Sequence, residues 1–544
     1  MKKYSQQMDN MKKILLLVLT VLLFIQCSSV KKYNAQLDTL ISVEKMKQDV
    51  DYTYLQLQRL HPNLYGYIDK AALDYNFDSV KKTITSPLKP LGFYKKLSPL
   101  VAAVRQGHSQ VYIPTKKFTK KEAKVLEKKG TGPISQFELD VIDNKLYVIK
   151  NKSYDKSIQA GSEIISMNGL NPMDLNTEYD HYFTSDGFNT TYKTNVASRK
   201  IVSYFTAEQG IKDSIAYQFQ FKDSIKSSII ARKNPEKPKQ DSLKQKTPTV
   251  KPIVTQAQKE AQKAFKRKKR INGYNKDAQN FTRNFNFVAK DSSVALMKIR
   301  GFKNKSYKIF YKESFQQLQD SKTKTLILDL RNNGGGRLAE IAELYSYLAD
   351  SSFVFLDKSE VVSRASLVRG SYFESNSIVE KMIKVVFSPL AYTYALFEVK
   401  KEKDGKYYTQ SFTKVKQPKA TAFKGKIYVL INGGSFSASS IISSNLKGSR
   451  RATFVGQETG GDYNGTVAGF MPELKLPNSQ IIVRIGVMNV VPYYKTPVLG
   501  HGIYPDKEIL PTLQDKIEGK DPELEWIVNE INKANAVQKE SKLN

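Results

Sequence analysis

Apolar and polar residues change rhythm along this chain, and the changes divide it. From Asp38 to about Pro114 the apolar positions recur at helical spacing. In LISVEKMKQDVDYTYLQLQRLHP the pattern runs to His61-Pro62, where the proline ends it. From Ile134 to about Phe221 the rhythm becomes alternating, as in ELDVIDNKLYVIKN and IAYQFQFK, which predicts strands with one buried face. A third regime starts at Ser292. SVALMKIRGF reads as a strand, YKESFQQLQD as a helix, and the unbroken apolar run TLILDL (325–330) as a strand buried on both faces. RLAEIAELYSYLA (337–349) is predicted to be a helix with Leu338, Ile341, Leu344, Tyr345 and Leu348 on one side. The unit then repeats: KIYVLI as strand, NGGSFSAS as turn and SIISSNLKG as helix, with Gly448 as C-cap. RATFVG, QIIVRIG and MNVVPYY add strands, and a helical tail from Asp521 holds the only tryptophan, Trp526, as a packing residue. This order predicts a multi-domain α/β (α+β) chain. Its parts are a helical region (38–115), a β-rich domain (130–225), an αβ core (290–520) and a C-terminal helix and tail (521–544).

Two segments fall outside that rhythm. Residues 231–270 carry 14 Lys+Arg against 3 acidic residues, a net of +11, with prolines at 235, 238, 248 and 252. Such a stretch buries too little apolar surface to order itself well, so 226–285 is expected to be a basic linker or surface insertion. AFKRKKR (264–270) within it has the composition of a polyanion site. At the other extreme, MKKILLLVLTVLLFIQ has lysines at 12 and 13 and an apolar run from Ile14 to Ile25, the layout of a signal peptide over residues 1–27. The run is short for a membrane span.

Charge and cysteine usage refine this. The 86 Lys+Arg against 52 Asp+Glu give a net of +34 over 544 residues, which favours anionic surfaces or reflects a lysine-biased exported protein. The single cysteine, Cys27, directly follows the apolar run. No disulfide, and no cysteine-based metal or nucleophilic chemistry, is then available in the mature protein. An exported protein also makes a nucleic-acid partner unexpected.

The chemistry sits at strand ends. Both strand–turn–helix units place glycine-rich turns at the C-terminal end of a strand, where α/β folds form sites. RNNGGG (331–336) can present outward N–H groups to an oxyanion, but no Gly-Lys-Ser/Thr follows, so it is not a phosphate loop. Ser437 in SFSASS stands two residues before the predicted start of its helix. It reads either as a nucleophile at the positive helix end or as an N-cap. A serine nucleophile needs a base. The chain offers His61, His108, His181 and His501, and residue types alone leave the choice open.

In combination, TLILDLRNNGGG, the later SFSASS and then VGQETGG resemble the S41 family of serine peptidases, which includes the C-terminal-processing (tail-specific) and tricorn-like enzymes. QAGSEIISMNG (159–169) resembles part of a PDZ domain, and IYPDKEI (503–509) resembles the G-x-x-PD segment late in the family's catalytic domain. Cys27 followed by Ser28 and Ser29 resembles a bacterial lipoprotein processing site, with the thiol as the lipid attachment point; a plain secretory signal is the alternative. The family resemblance implies a PDZ-like domain and a ClpP/crotonase-like αβ catalytic core. The processing-protease branch carries a lysine base about 25 residues after its nucleophile; here Asp462 stands there. The tricorn-like branch uses a histidine motif, matched by Gly107-His108-Ser109, and a TGG matched by Thr459-Gly460-Gly461. The resemblance therefore implies Ser437 as nucleophile, His108 as base, and the N–H groups of Gly335 and Ala438 as the oxyanion hole. Leu499 occupies the place of a glutamate found in that branch, so Glu458 becomes the candidate for orienting the relay.

These readings predict a lipid-anchored cell-envelope serine endopeptidase that acts on peptides or unfolded proteins with no metal and no organic cofactor. A catalytically inactive peptide-binding lipoprotein of the same fold is the alternative, and polyanion binding through 231–270 a third.

Overall fold

The computed structural model describes residues 30–234, 255–303, 305–366 and 388–540. The signal segment and Cys27 lie outside these residues. After a short helix at Val30–Gln36, three helices follow, α1 (Val43–Leu60), α2 (Lys70–Thr83) and α3 (Pro90–Ala102), as the helical spacing predicts. His61 is the C-cap of α1. A two-residue strand, β1 (Gln110–Val111), follows.

The alternating region forms a five-stranded antiparallel sheet: β2 (Phe137–Ile142), β3 (Lys145–Asn151), β4 (Glu163–Met167), β5 (Ser214–Phe221) and β6 (Ser224–Ala231), paired in that order. Two helices interrupt it that alternation did not predict, Pro172–Asp180 and α4 (Thr191–Gln209). Only one side of α4 is buried, at Val196, Ala197, Ile201, Tyr204 and Phe205, and polar residues dilute that stripe in the sequence.

Part of the basic segment departs from expectation. Gln256–Asn272 is a helix, α5, although its composition reads as a linker. Thr255 and Gln258 form a capping box at its start, and Gly273 ends it in the left-handed conformation. Its Ala, Gln, Lys and Arg residues are strong helix formers. Of its residues only Ile271 is buried, and Arg267 pairs with Glu313 of the neighbouring helix.

The third regime builds a six-stranded sheet from β7 (Arg283–Phe287), β8 (Val294–Ile299), β9 (Thr325–Asp329), β10 (Lys426–Ile431), β11 (Thr453–Gly456) and the short Lys507–Glu508. All neighbours are parallel except β7 with β8. Every residue of β9 is buried, as its continuous apolar run requires for a central strand. Helices Tyr307–Asp320, α6 (Leu338–Leu348) and α7 (Ala438–Gly448) join the larger apolar core. A second cluster, which holds Ile527 and Ile531 of helix Pro522–Glu540, covers Ile327, Tyr428, Leu430 and Val455, with Trp526 packed against it. Gly448 proves to be the last residue of α7 rather than its cap, which is Ser449.

The N-terminal half is not a separate bead. A single apolar core holds α1–α3, the antiparallel sheet and α4 together with Val483, Ile485 and Val487 from the C-terminal half. β1 pairs with β12 (Ile482–Arg484), which continues to Glu473–Lys475. This shared core carries His108, two residues before β1, to the C-terminal edge of the six-stranded sheet.

Candidate active site

The site is built where β9 and β10 end side by side. β10 runs into Asn432-Gly433-Gly434 and the serine cluster, and α7 begins at Ala438, ahead of the predicted segment SIISSNLKG. Ser437 has φ 59° and ψ −120°, a conformation that costs a β-carbon-bearing residue energy and persists only where its surroundings enforce it. Its side chain makes no capping bond. Its hydroxyl lies 3.0 Å from His108 Nε2.

The other serines are tied down. Ser435 donates to the Leu330 carbonyl (2.8 Å), Ser439 to that of Asn333 (2.7 Å) and Ser440 to that of Ser435 (3.1 Å). The Thr459-Gly460-Gly461 turn packs on this cluster, with the Gly460 N–H donating to the Ser435 carbonyl at 3.0 Å.

The RNNGGG turn closes the other side. A methyl group on Gly335 (φ +92°) would lie 2.7 Å from Ser437 Cβ and 2.8 Å from the Ala438 nitrogen, so glycine is required there. Ala438 is the first residue of α7, and its N–H belongs to the set with no partner inside the helix. The Gly335 N–H, in contrast, donates to Asn333 Oδ1 at 3.0 Å. Asn333 is fully buried. Its amide donates to the Ile299 carbonyl, and its own carbonyl accepts from the Phe436 N–H. Arg331 anchors the start of the turn through Asp329 (3.0 Å), Asp521 (2.7 Å) and Glu523 (3.2 Å).

His108 is buried, and its ring stacks on Phe436 with centroids 5.1 Å apart. Its Nδ1 lies 3.1 Å from Thr466 Oγ1, and Thr466 donates to Asp186 Oδ1 at 3.2 Å. The Gly107 N–H donates to the same carboxylate oxygen at 2.8 Å. A hydroxyl that gives its proton to a carboxylate can only accept from His108. The imidazole proton then sits on Nδ1, and Nε2 offers its lone pair to Ser437. Burial, then the nearby Arg484, lowers the His108 pKa to about 3, so the ring is neutral. Burial, with repulsion from Asp462, raises Asp186 to about 7 against the opposing bonds from Gly107 and Thr466.

Glu458, expected to orient His108, does not reach it. Its carboxylate accepts from the Gly502 N–H at 2.7 Å and lies 3.3 Å from His501 Nδ1, because the turn after β11 aims it at the 501–502 loop. Thr466 and Asp186 stand in the place expected of Glu458. Asp462, which stands where a dyad lysine would fall, is buried and accepts from the Tyr67 hydroxyl at 2.7 Å. Of the remaining histidines, His61 is buried with neither ring nitrogen bonded, and His181 caps the helix Pro172–Asp180. Sequence reasoning singles out neither Thr466 nor Asp186. The one hint is an acid in the polar loop TSDGFN beside His181.

Residues 293–509 match the model of peptidase family S41, a span that holds both glycine turns, Ser437 and Thr466 but not His108 or Asp186. No curated protein matches the chain in sequence. Among solved structures, mature CPAF superposes with a TM-score of 0.54 at 14% identity, covering 87% of this chain and 94% of that one. Mature CPAF complexed with lactacystin gives 0.55 at 14% identity, covering 88% and 95%. At such identity the likeness is one of fold. The family model lies across both turns and the serine cluster between them, so residues 293–509 of this chain are similar to the catalytic segment of family S41 serine peptidases.

Proposed function

We propose that this protein is an exported, lipid-anchored serine endopeptidase in which Ser437 attacks a peptide carbonyl and His108 takes its proton. The observation that carries this reading is the 3.0 Å separation of Ser437 Oγ and His108 Nε2, with the opposite ring nitrogen committed to Thr466. As Ser437 attacks, the proton moves to Nε2 and a buried imidazolium forms. The Asp186 carboxylate, one hydroxyl away, offsets that charge, as the acid of a catalytic triad does. The tetrahedral oxyanion falls beside the Ala438 N–H at the positive end of α7, and the Gly335 N–H is its second donor once Asn333 releases it. His108 returns the proton to the leaving amine, an acyl-enzyme remains on Ser437, and water admitted on the same base completes hydrolysis.

The antiparallel sheet over 137–231 is the PDZ-like module of this reading. It would hold an extended peptide by strand addition. Export and anchoring rest on the leader ending at Cys27. Metabolic labelling with a radioactive fatty acid tests them: wild type should incorporate label and Cys27→Ser should not. The peptidase reading is tested by hydrolysis of an unfolded protein with wild type, Ser437→Ala and His108→Ala. Equal turnover by all three would sink it.

A second reading has one observation in its favour. The Gly335 N–H is spent on Asn333, which leaves the oxyanion hole with a single uncommitted donor. A catalytically silent peptide-binding protein would look the same at that position. Labelling of Ser437 by a fluorophosphonate decides between them, since only an activated serine reacts.

A further inference from the structure

β1 is an edge strand. It pairs with β12 on one side only, with Gln110 opposite Arg484 and Val111 opposite Val483. The Tyr112 N–H donates to the Ile482 carbonyl on that side. In an antiparallel pair the bonding direction alternates, so the N–H and carbonyl of Val111 point away from β12, toward the open edge. β1 and α4 both line a cavity of about 320 Å³, together with Tyr94 of α3. Gln110, Val111, Tyr112 and Ile113 line it from the strand, and Lys200 and Tyr204 from α4.

Lys200 is the unusual member. Its ammonium sits 3.9 Å over the Phe183 ring, and among the described residues no carboxylate lies within 4.0 Å of it. The acids nearby are already engaged: Glu208 by Lys95, Asp180 by Lys193, and Glu473 by the Tyr112 hydroxyl. Burial, then Arg484 and Arg199, lowers the Lys200 pKa to about 8. A half-buried cation without a counter-ion, in a cleft with further positive charge around it, is arranged to receive an anion.

Two elements that line the cleft, β1 and α4, both continue toward Ser437. β1 starts two residues after His108. Tyr192 of α4 stacks on Phe436, the neighbour of Ser437, at 4.4 Å. Lys200 lies eight positions further along the same helix, about 12 Å at 1.5 Å per residue, which an extended peptide spans in roughly four residues.

We infer that the cleft between the open edge of β1 and α4 is a substrate subsite: a peptide segment lies there as an added strand, and Lys200 pairs with a carboxylate it carries roughly four residues from the bond Ser437 attacks. This rests on the peptidase reading above. The carboxylate is that of an acidic side chain or of the peptide's own C-terminus.

The test uses peptides that differ only by Glu or Gln at positions three to five from the cleaved bond, each made with a free and an amidated C-terminus. Wild type should cleave the carboxylate-bearing peptide about tenfold faster in kcat/KM than its neutral match, the scale of one charge-assisted hydrogen bond. Lys200→Met should erase that preference while turnover of the neutral peptide stays within about twofold, which also shows that the variant is folded. Lys200→Glu should favour a peptide with lysine at that position. A preference that follows the Glu side chain assigns the subsite to acidic residues; one that follows amidation assigns it to the C-terminus. Equal discrimination by wild type and Lys200→Met, or none by either, overturns the inference. If wild type cleaves no peptide, the peptidase reading fails by itself. The subsite is then judged by fluorescence anisotropy of the same labelled peptides, where a preference in wild type that Lys200→Met lacks supports it and its absence overturns it.

Discussion

β9 and β10 lie next to each other in the central sheet, and both end in glycine-rich turns, yet the two turns are held in opposite ways. The first is clamped by charge: Arg331 joins Asp329 at the strand end to Asp521 and Glu523 at the start of the last helix. The second contains no charged side chain from Asn432 to Ser440. It is held by hydroxyls, each satisfying a backbone carbonyl, with Ser437 as the exception whose partner is an imidazole. A charged clamp gives position and leaves nothing over for chemistry. A hydroxyl-braced turn places several near-identical groups, and Ser437 is the one left without a carbonyl to bind. The buried histidines teach the same lesson. Burial lowers both His61 and His108 to about 3, but only His108 has partners at both ring nitrogens. Desolvation alone does not mark a base.

The sharpest way to break the contrast is to remove the odd hydroxyl. Ser437→Ala should cut kcat by about 10³-fold or more with an unchanged melting temperature, read by turnover and calorimetry side by side. Next comes the junction of the turns. Gly335→Ala puts a methyl against Ser437 and the Ala438 N–H and should cost about 10²- to 10³-fold in kcat, the scale of a lost oxyanion donor. Thr466→Val removes the hydroxyl that selects the His108 tautomer. A drop of about 10²-fold, largely restored in Thr466→Ser, would separate relay from bulk.

The pH profile sharpens the comparison further. His108 stays neutral down to about pH 3, so its own protonation does not shape the neutral range. The relay needs ionised Asp186, so kcat should rise as pH increases through about 7, and Asp186→Asn should flatten that rise. Stability runs the other way for this group. A carboxyl raised above its unfolded value binds more protons in the folded state. Its contribution is therefore full below the unfolded pKa of about 4 and fades as pH climbs through 7. The smallest effect belongs to Ser439→Ala, which should leave turnover near wild type and lower stability by about 1 kcal/mol for one buried hydrogen bond.

Much of this fold is legible in the chain itself. TLILDL and KIYVLI announce buried strands because central parallel strands need apolar residues on both faces. Ser437 and His108 are reached through motif resemblance, since nothing in residue type separates Ser437 from Ser435 or His108 from His61. Thr466 and Asp186 are illegible for a physical reason: each joins the relay through a side chain that tertiary closure delivers, 358 positions from His108 in one case and 280 from Thr466 in the other. Glu458 is suggested by nearness in sequence to a motif, and the backbone after β11 turns it elsewhere. In α5 composition misleads, because a capping box and strong helix formers order a stretch that its charge argues against.

One separation has a consequence in time. His108 and Ser437 are 329 positions apart. At the usual pace of chain elongation, about 5–20 residues per second, the ribosome makes the histidine on the order of tens of seconds before the serine, and Thr466 later still. If His108 and Ser437 act as proposed, a growing polypeptide carries a base with nothing to activate, then a serine whose relay is unfinished. On the proposed mechanism, no complete relay exists until Thr466 has been added, so the order of synthesis itself delays activity.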